Sequence, residues 1–463
     1  RTPSGRQGRV PFPAMDEYSR HLLQEHLDAD TVHVEAHLPG TVDVERLRAA
    51  FTRTLADHPT LQVRQCDSHW WQRRYHWEPA PIGPTAVAAT ADLGTTRHRA
   101  LTEPPPLAAG PPLRLETAPT PGGGTALLLT AAHTLADAGT CLRLLCDLAD
   151  HYSGTPGGGR SAGSAGSAAS AGERSAGAIS NLKSPDGSVE HTGDTTTGES
   201  GQRSAGSADV SAAAAGRGGR PVRIAPAANP SPGTGVHLSV LPLPRTGSGR
   251  PRPTVNDLLL TAVQLTLAEW NHRHNHPTGP IHLSMPIDDR PYGPLAPGAP
   301  MGNHNHLATI RTSTPAPDAG AGAATLLGRI SAQTRAAKAA PVTSGGLVAG
   351  LVSTPWLPLG AKAPLTRALR RVAAPWTSTA LVSNLGRVTH PLDFGPAGPP
   401  DALWFSAPVR MPRGLSVSAL TLDGRLHLAV RHCHQLLDRT AAAELARRCA
   451  ENLDALAQEG SRR

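Results

Sequence analysis

Between Thr31 and Leu38 apolar and polar residues alternate, with Val32, Val34, Ala36 and Leu38 on one face and His33, Glu35 and His37 on the other. A period of two predicts a half-buried strand. The period then lengthens. Asp43 stands before Val44, Leu47, Phe51 and Leu55, an apolar stripe at helical spacing with a capping residue ahead of it, and the helix should stop near His58-Pro59. Upstream, Asp16 is placed to cap a helix carrying Tyr18, Leu22 and Leu23. Downstream, Pro112–Ala118 and Thr125–Ala131 flank Pro121-Gly122-Gly123-Gly124, which reads as a hairpin. A helix from about Gly139 to Tyr152 follows, with Leu142, Leu145 and Leu148 as its stripe.

The C-terminal half repeats the mixture. Val236–Leu241 predicts a strand, and Thr254 with Asp257 has the spacing of a capping box for a helix reaching about Trp270. Ile281–Ile287, Met301–Ile310 and Thr379–Ser383 read as extended. Gly414–Thr421 and Leu426–Arg431 should pair across Leu422-Asp423-Gly424-Arg425, because Asp-Gly favours a tight turn. Thr440 is the expected cap of a last helix carrying Leu445, Leu453 and Leu456. The two halves are separated by Ser153 to about Gly235, a stretch of Ser, Ala, Gly and Thr in which Arg-Ser-Ala-Gly recurs at Arg160, Arg174 and Arg203. With almost no large apolar residue it has little to offset the entropy of ordering, so a disordered linker is expected. The predicted organisation is an N-terminal lobe over 1–152, a linker over 153–235 and a C-terminal lobe over 236–463. At 463 residues, two packed cores are the natural expectation.

Composition adds limits. The formal charge is +8, carried almost wholly by arginine, and the lysines are Lys183, Lys338 and Lys362. A basic balance suits a phosphorylated cofactor or an acidic carrier protein. There is no run of five basic residues and no interleaving of aromatics with basics, so nucleic-acid binding is not expected. Cys66, Cys141, Cys146, Cys433 and Cys449 are odd in number and form no C-x-x-C, which predicts reduced thiols and a cytoplasmic protein. No stretch of 18 apolar residues and no signal-peptide core occurs, so no transmembrane segment is expected. The first residue is Arg1, so the numbering is expected to start inside the natural chain.

The candidate chemistry lies at the end of the second hairpin strand, Leu127-Leu128-Leu129-Thr130-Ala131-Ala132-His133, followed by Thr134-Leu135-Ala136-Asp137-Ala138-Gly139. A histidine between a buried strand and a helix is held by backbone on both sides, and Asp137 near the helix start is favoured by the helix dipole. By itself this pattern is more often a satisfied histidine beside an N-cap than a catalytic one.

The order of further segments points to a family. Asp57-His58-Pro59-Thr60-Leu61 is similar to an "RHP.LR" segment, and Ala132–Ala138 to the HHxxxDG motif. Thr254-Val255-Asn256-Asp257, Met285–Pro291, Gly302-Asn303 and Ser383-Asn384-Leu385-Gly386 follow in family order. The chain thus resembles the condensation-domain-like superfamily, which includes nonribosomal-peptide condensation domains, polyketide-associated acyltransferases and wax-ester-synthase-type enzymes. The resemblance implies an α+β fold of two chloramphenicol-acetyltransferase-like lobes around a central tunnel. It implies a thioester-dependent acyltransferase, in natural-product biosynthesis, with acyl-CoA or an acyl carrier protein's phosphopantetheine thioester as co-substrate and a small-molecule hydroxyl or amine as acceptor. No bound cofactor or metal is implied, and a monomer is expected. The catalytic histidine of the motif falls on His133, and the family's carboxylate–arginine pair on Asp137 and Arg290. Ser383 and Asn384 fall where an oxyanion or substrate contact is expected, and His304 and His306 are substrate candidates if their strand faces the tunnel.

Two motif positions depart from the pattern: Ala132 stands for the first His and Ala138 for the terminal Gly, with Gly139 one residue on. Degenerate relatives act as recruitment modules, so a binding-module reading stays beside the enzyme one, and a cyclisation or epimerisation role is a third. Among other residues, His272, His274 and His276 read as loop histidines rather than a zinc site. Trp70 and Trp71 read as a strand with one ring in and one out, and the apolar Gly345–Gly360 as ordinary packing.

Overall fold

In the computed structural model the described residues are 8–22, 29–83, 86–154, 219–246, 252–313, 322–340 and 354–462. The chain forms, in order, β1 (Val10–Pro11), α1 (Ala14–Leu22), β2 (Thr31–Leu38), α2 (Val44–Asp57), β3 (Val63–Gln65), β4 (His76–Pro79) and β5 (Val87–Ala89). Then come α3 (Leu93–Thr102), β6 (Leu113–Pro119), β7 (Thr125–Ala132), α4 (Ala138–Ser153) and β8 (Thr234–Pro242). The remainder is α5 (Val255–Arg273), β9 (Pro280–Asp288), β10 (Asn305–Ser313), α6 (Gly322–Ala339), α7 (Leu359–Ala373), β11 (Ala380–Arg387), β12 (Ala402–Ser406), β13 (Leu415–Leu422), β14 (Arg425–Cys433) and α8 (Arg439–Arg462).

Two sheets carry the α+β architecture. A five-stranded sheet runs β12-β2-β7-β6-β5 and a six-stranded sheet runs β10-β9-β11-β13-β14-β8. Each has its own apolar core. Leu47, Phe51 and Leu55 of α2 and Leu142, Leu145 and Leu148 of α4 join Val32, Val34 and Leu127 of the first sheet. Leu259, Val263, Leu445 and Leu453 of α5 and α8 join Leu283, Val417 and Leu428 of the second. Helices end where the sequence supplies caps. Asp43 accepts the Glu45 and Arg46 N–H groups, and Thr254 and Asp257 form a reciprocal capping box. The β13–β14 hairpin turns at Asp423 (φ 46°) and Gly424 (φ 71°), the two positive values that a type I′ turn needs.

Several expectations are corrected. Residues 219–235 are not a loose linker: Ile224 and Ala225 are buried in the second core, and Ala225 N–H donates to Asn271 Oδ1 at 2.9 Å. The rest of the expected linker, 155–218, lies outside the described residues. The division at 152 and 236 does not separate the sheets, because β12 from the C-terminal half pairs antiparallel with β2, Trp404 opposite Glu35. That pairing and the neighbouring α3 also bury the polar face of β2: His33 is 1% and Glu35 0% exposed. Glu35 is held there by Arg97 Nε at 2.8 Å and His37 Nε2 at 2.7 Å, so the strand is covered on both faces. Asp16 sits inside α1 rather than capping it, and Leu23 lies outside the described residues. Asp438, not Thr440, caps α8, accepting the Ala441 N–H at 2.8 Å. Trp70 and Trp71 lie in a turn and both are exposed, at 71% and 57%. Most of the Gly345–Gly360 segment lies outside the described residues, and Trp356 within it is exposed.

The two halves are fastened by buried cations. Arg431, 0% exposed on β14, donates to Thr31 O at 2.7 Å, Thr31 Oγ1 at 3.0 Å and Leu101 O at 2.8 Å. Lys362 on α7 donates to Glu17 Oε1 of α1 at 2.7 Å, both side chains being fully buried.

Candidate active site

Strand β7 pairs with β2 up to Ala132 opposite Thr31, and the chain leaves the sheet at His133, whose N–H donates to Asp30 O at 2.9 Å. A tight turn follows, with Leu135 N–H donating to Ala132 O at 2.9 Å, and α4 begins beyond Asp137. The half-buried His133 ring places Nδ1 3.2 Å from Ala136 O. A carbonyl only accepts, so in the neutral ring this contact suits the tautomer with the proton on Nδ1 and the lone pair on Nε2.

Asp137 ties this loop to the other half of the molecule. Its carboxylate caps α4 through the Thr140 N–H at 2.8 Å and receives both contacts from Arg290 Nη2 at 3.1 Å. It also accepts the His304 N–H at 2.9 Å. Arg290 is anchored in turn, with Nε on Pro300 O at 2.9 Å and Nη1 on Asp288 Oδ1 at 2.7 Å. Burial alone would raise the Asp137 pKa; the Arg290 guanidinium and the two N–H donors outweigh it and hold the carboxyl below its ordinary 3.8. Asp288 moves the other way, raised by burial against the partial help of Arg290. Gly139 is explained by close approach: a Cβ there would lie 2.8 Å from Pro294 Cβ and 3.2 Å from Arg290 Nη1. Its glycine is what lets the guanidinium reach the helix start.

Three further residues complete the constellation. Thr140 Oγ1 donates to Gly302 O at 2.8 Å and accepts from Arg290 Nη2 at 2.8 Å. Asn303 Nδ2 donates to His133 O at 2.8 Å and to Asp16 Oδ1 at 3.0 Å. Asp16 also accepts from Trp77 Nε1 at 3.1 Å, and burial raises its pKa to about 7 despite those two donors. Asn303 stood inside a family segment, whereas Asp16 and Thr140 carried no signal beyond polarity at helix starts.

The other sequence candidates are placed differently. His304 precedes β10 and its ring Nε2 lies 3.2 Å from Met301 O, while His306 lies on β10 with Nδ1 2.5 Å from Asp289 Oδ1. Asp289 N–H donates to His304 O at 2.8 Å, continuing the β9–β10 ladder past Asn305; His304 reaches the Asp137 site through its backbone N–H. Ser383 and Asn384 lie on β11, and Asn384 Oδ1 accepts the Gly386 N–H at 2.9 Å. No described hydrogen bond joins either to the His133 loop. His272 and His274 are exposed, and no cluster of three or more metal-ligating side chains occurs among the described residues.

Comparison with known proteins bears on this arrangement. No family model matches the chain. Two uncharacterised proteins of Mycobacterium tuberculosis, strains CDC 1551 and H37Rv, are each 27% identical over 404 residues, covering 82% of this chain and 84% of theirs. The starter condensation domain of rhizomide synthetase, solved in complex with C8-CoA and Leu-SNAC, superposes with a TM-score of 0.61 at 13% identity, covering 98% of this chain and 95% of that one. The first condensation domain of the CDA synthetase gives 0.57 at 15% identity, with 98% and 97% covered. The epimerization domain of tyrocidine synthetase B gives 0.55 at 13%, with 98% and 97% covered. With near-complete coverage on both sides, the α+β architecture described above is a condensation-domain-like fold.

Proposed function

We propose that this chain is an acyltransferase that moves an acyl group from a coenzyme A or carrier-protein thioester to a hydroxyl or amine acceptor, with His133 as general base. The observation that carries the reading is the His133–Ala136 contact, which supports an Nδ1–H tautomer and so an Nε2 able to accept a proton. The Asp137–Arg290 pair supports it by holding the loop rigid from the far side.

In this mechanism the acceptor O–H or N–H lies against Nε2. As oxygen or nitrogen bonds to the thioester carbonyl carbon, its proton passes to Nε2 and the carbonyl becomes an oxyanion. The tetrahedral intermediate then collapses, the C–S bond breaks, and the leaving sulfur takes a proton to become a thiol. General-base assistance of this kind contributes about 10²–10⁴-fold. The oxyanion requires a donor. Asn384 is the side chain we assign, since its Oδ1 is engaged by Gly386 and its Nδ2 remains to donate; Ser383 is its neighbour. The tunnel reaching His133 from both faces, a monomeric state, cytoplasmic location and a natural-product pathway belong to the same proposal. No helix among the described residues is long and apolar enough to cross a membrane.

One observation favours the recruitment-module alternative: the motif's first imidazole is replaced by Ala132, fully buried in the β7–β2 pairing. A panel of acyl-CoA and acyl-carrier donors with amine and alcohol acceptors, followed by thiol release and product mass, separates the two. Turnover that His133→Ala abolishes supports the enzyme; a folded wild-type chain inert with every donor supports the module.

A further inference from the structure

A polar cavity of about 300 Å³ lies where α3 of the first half meets β8, the end of β14 and the start of α8. It shares no lining residue with the His133 loop. Its polar lining consists of Arg97 and His98 of α3, Thr234 and His237 of β8, and His432, His434 and Arg439. No carboxylate and no thiol faces it, so every titratable group in the wall is a hydrogen-bond donor in at least one of its forms. We propose that this cavity is an oxyanion site that takes a phosphoryl-sized group, bound between the two halves. The proposal does not depend on the acyl-transfer reading.

The wall contains buried polar groups that lack a partner. His432 is 1% exposed, and neither of its ring nitrogens makes a hydrogen bond; His434 Nε2 is likewise buried and unbonded. The Val430 carbonyl lies close enough to favour the protonated His432 ring, yet no hydrogen bond of ordinary geometry reaches it. A buried donor without an acceptor is destabilising, because it has given up its water without gaining a partner. A neutral core could have used apolar side chains at this position, and a bound acceptor removes the cost. Burial first, then His434, pushes the His432 imidazole down to about 4, so near pH 7 the ring is neutral and donates through one N–H. The rings are also given room. Gly235 lies opposite His432 in the β14–β8 ladder, and a Cβ there would sit 2.7 Å from His434 Nε2 and 2.8 Å from His432 Nε2.

The charge balance is positive but small, which suits one anionic group. Arg97 is neutralised by Glu35 behind it, and Asp438 beside the cavity is occupied in capping α8. Arg439 is exposed and makes no ion pair with any described residue. One free guanidinium with imidazole N–H donors matches a phosphate or phosphate monoester, for which a planar guanidinium is the suited partner.

Calorimetric titration of the full chain with inorganic phosphate at constant ionic strength tests this, with phosphopantetheine as a second arm. Saturable phosphate binding is expected, weakened at least tenfold by Arg439→Gln and by His434→Gln. Arg447→Gln, on the same helix but paired with Glu451 outside the cavity, should leave it unchanged. Tighter, Arg439-dependent binding of phosphopantetheine than of phosphate identifies a thioester donor as the source of the group; equal or weaker binding identifies the free ion. Melting curves confirm that the variants are folded. Absence of saturable heat with both probes, or equal weakening by Arg439→Gln and Arg447→Gln, overturns the assignment.

Discussion

Replacing Asp137 by Ala removes the only carboxylate oxygen pair that Arg290 shares with α4, while leaving the guanidinium in place. The two side chains are 3% and 2% exposed, so the stranded charge has little water to turn to. Losing one member of a buried pair costs about 3–5 kcal/mol. Asp288 still touches Arg290 Nη1 at 2.7 Å and is itself 32% exposed, which places this site near the lower end of that range. The same substitution deletes the α4 cap, about 1 kcal/mol more. A total near 4 kcal/mol follows. Urea denaturation read by tryptophan fluorescence and far-ultraviolet circular dichroism measures it. Arg290→Met strands the Asp137 carboxylate in turn, with only the Thr140 and His304 N–H groups left to hold it, so its cost should fall in the same range, and the double variant should recover part of the loss of either single one. Because the Asp137 pKa is held below 3.8, its contribution is full above that value and disappears only as pH falls below it. A loss under about 1 kcal/mol, or single costs that add within about 0.5 kcal/mol in the double variant, would show that the pair does not hold the loop.

Three other outcomes are expected. Asp16 has its pKa raised from 3.8 to about 7, so the folded state binds a proton the unfolded chain releases; stability should fall as pH rises from about 4 to 7, and Asp16→Asn should flatten that dependence in denaturation midpoints measured across the range. Arg431→Leu strands the carbonyls of Thr31 and Leu101, and with hydrogen bonds to charged groups worth about 1.5–3 kcal/mol each the variant should lose at least about 3 kcal/mol in the same urea assay. None of the five cysteines is in a disulfide and all are buried, and burial pushes Cys66 up to about 11 and Cys146 and Cys449 up to about 12; native protein should therefore release almost no colour from a disulfide reagent at neutral pH until denaturant is added.

What could be read in the sequence was local. The α2 stripe behind Asp43, the Thr254–Asp257 capping box and the Asp423-Gly424 hairpin are each specified within a few residues, and each forms where its chemistry directs. Long-range pairing was not legible. Nothing in Ala402–Ser406 announces that it will leave its own half and extend the sheet of the other, and without that strand the polar face of β2 looked exposed. Composition misled at residues 219–235, where Ile224 and Ala225, with Val222 and Ala227 packed beside them and Arg223 bonded to Thr377 O and Ala374 O, dock a stretch otherwise rich in Gly and Pro. Of the site, the His133 loop and the Asp137–Arg290 pair were visible through motif order. Asp16, which reaches the loop through Asn303, and the diversion of His306 to Asp289 depend on contacts between segments far apart in the chain.

In the proposed mechanism His133 Nε2 is the proton acceptor. The direct measurement is thiol release from an acyl thioester with a matched acceptor, comparing wild type with His133→Ala at equal melting temperature. A drop in turnover of about 10²–10⁴-fold with folding unchanged is expected. Equal rates in the two proteins, with product still formed, would contradict it.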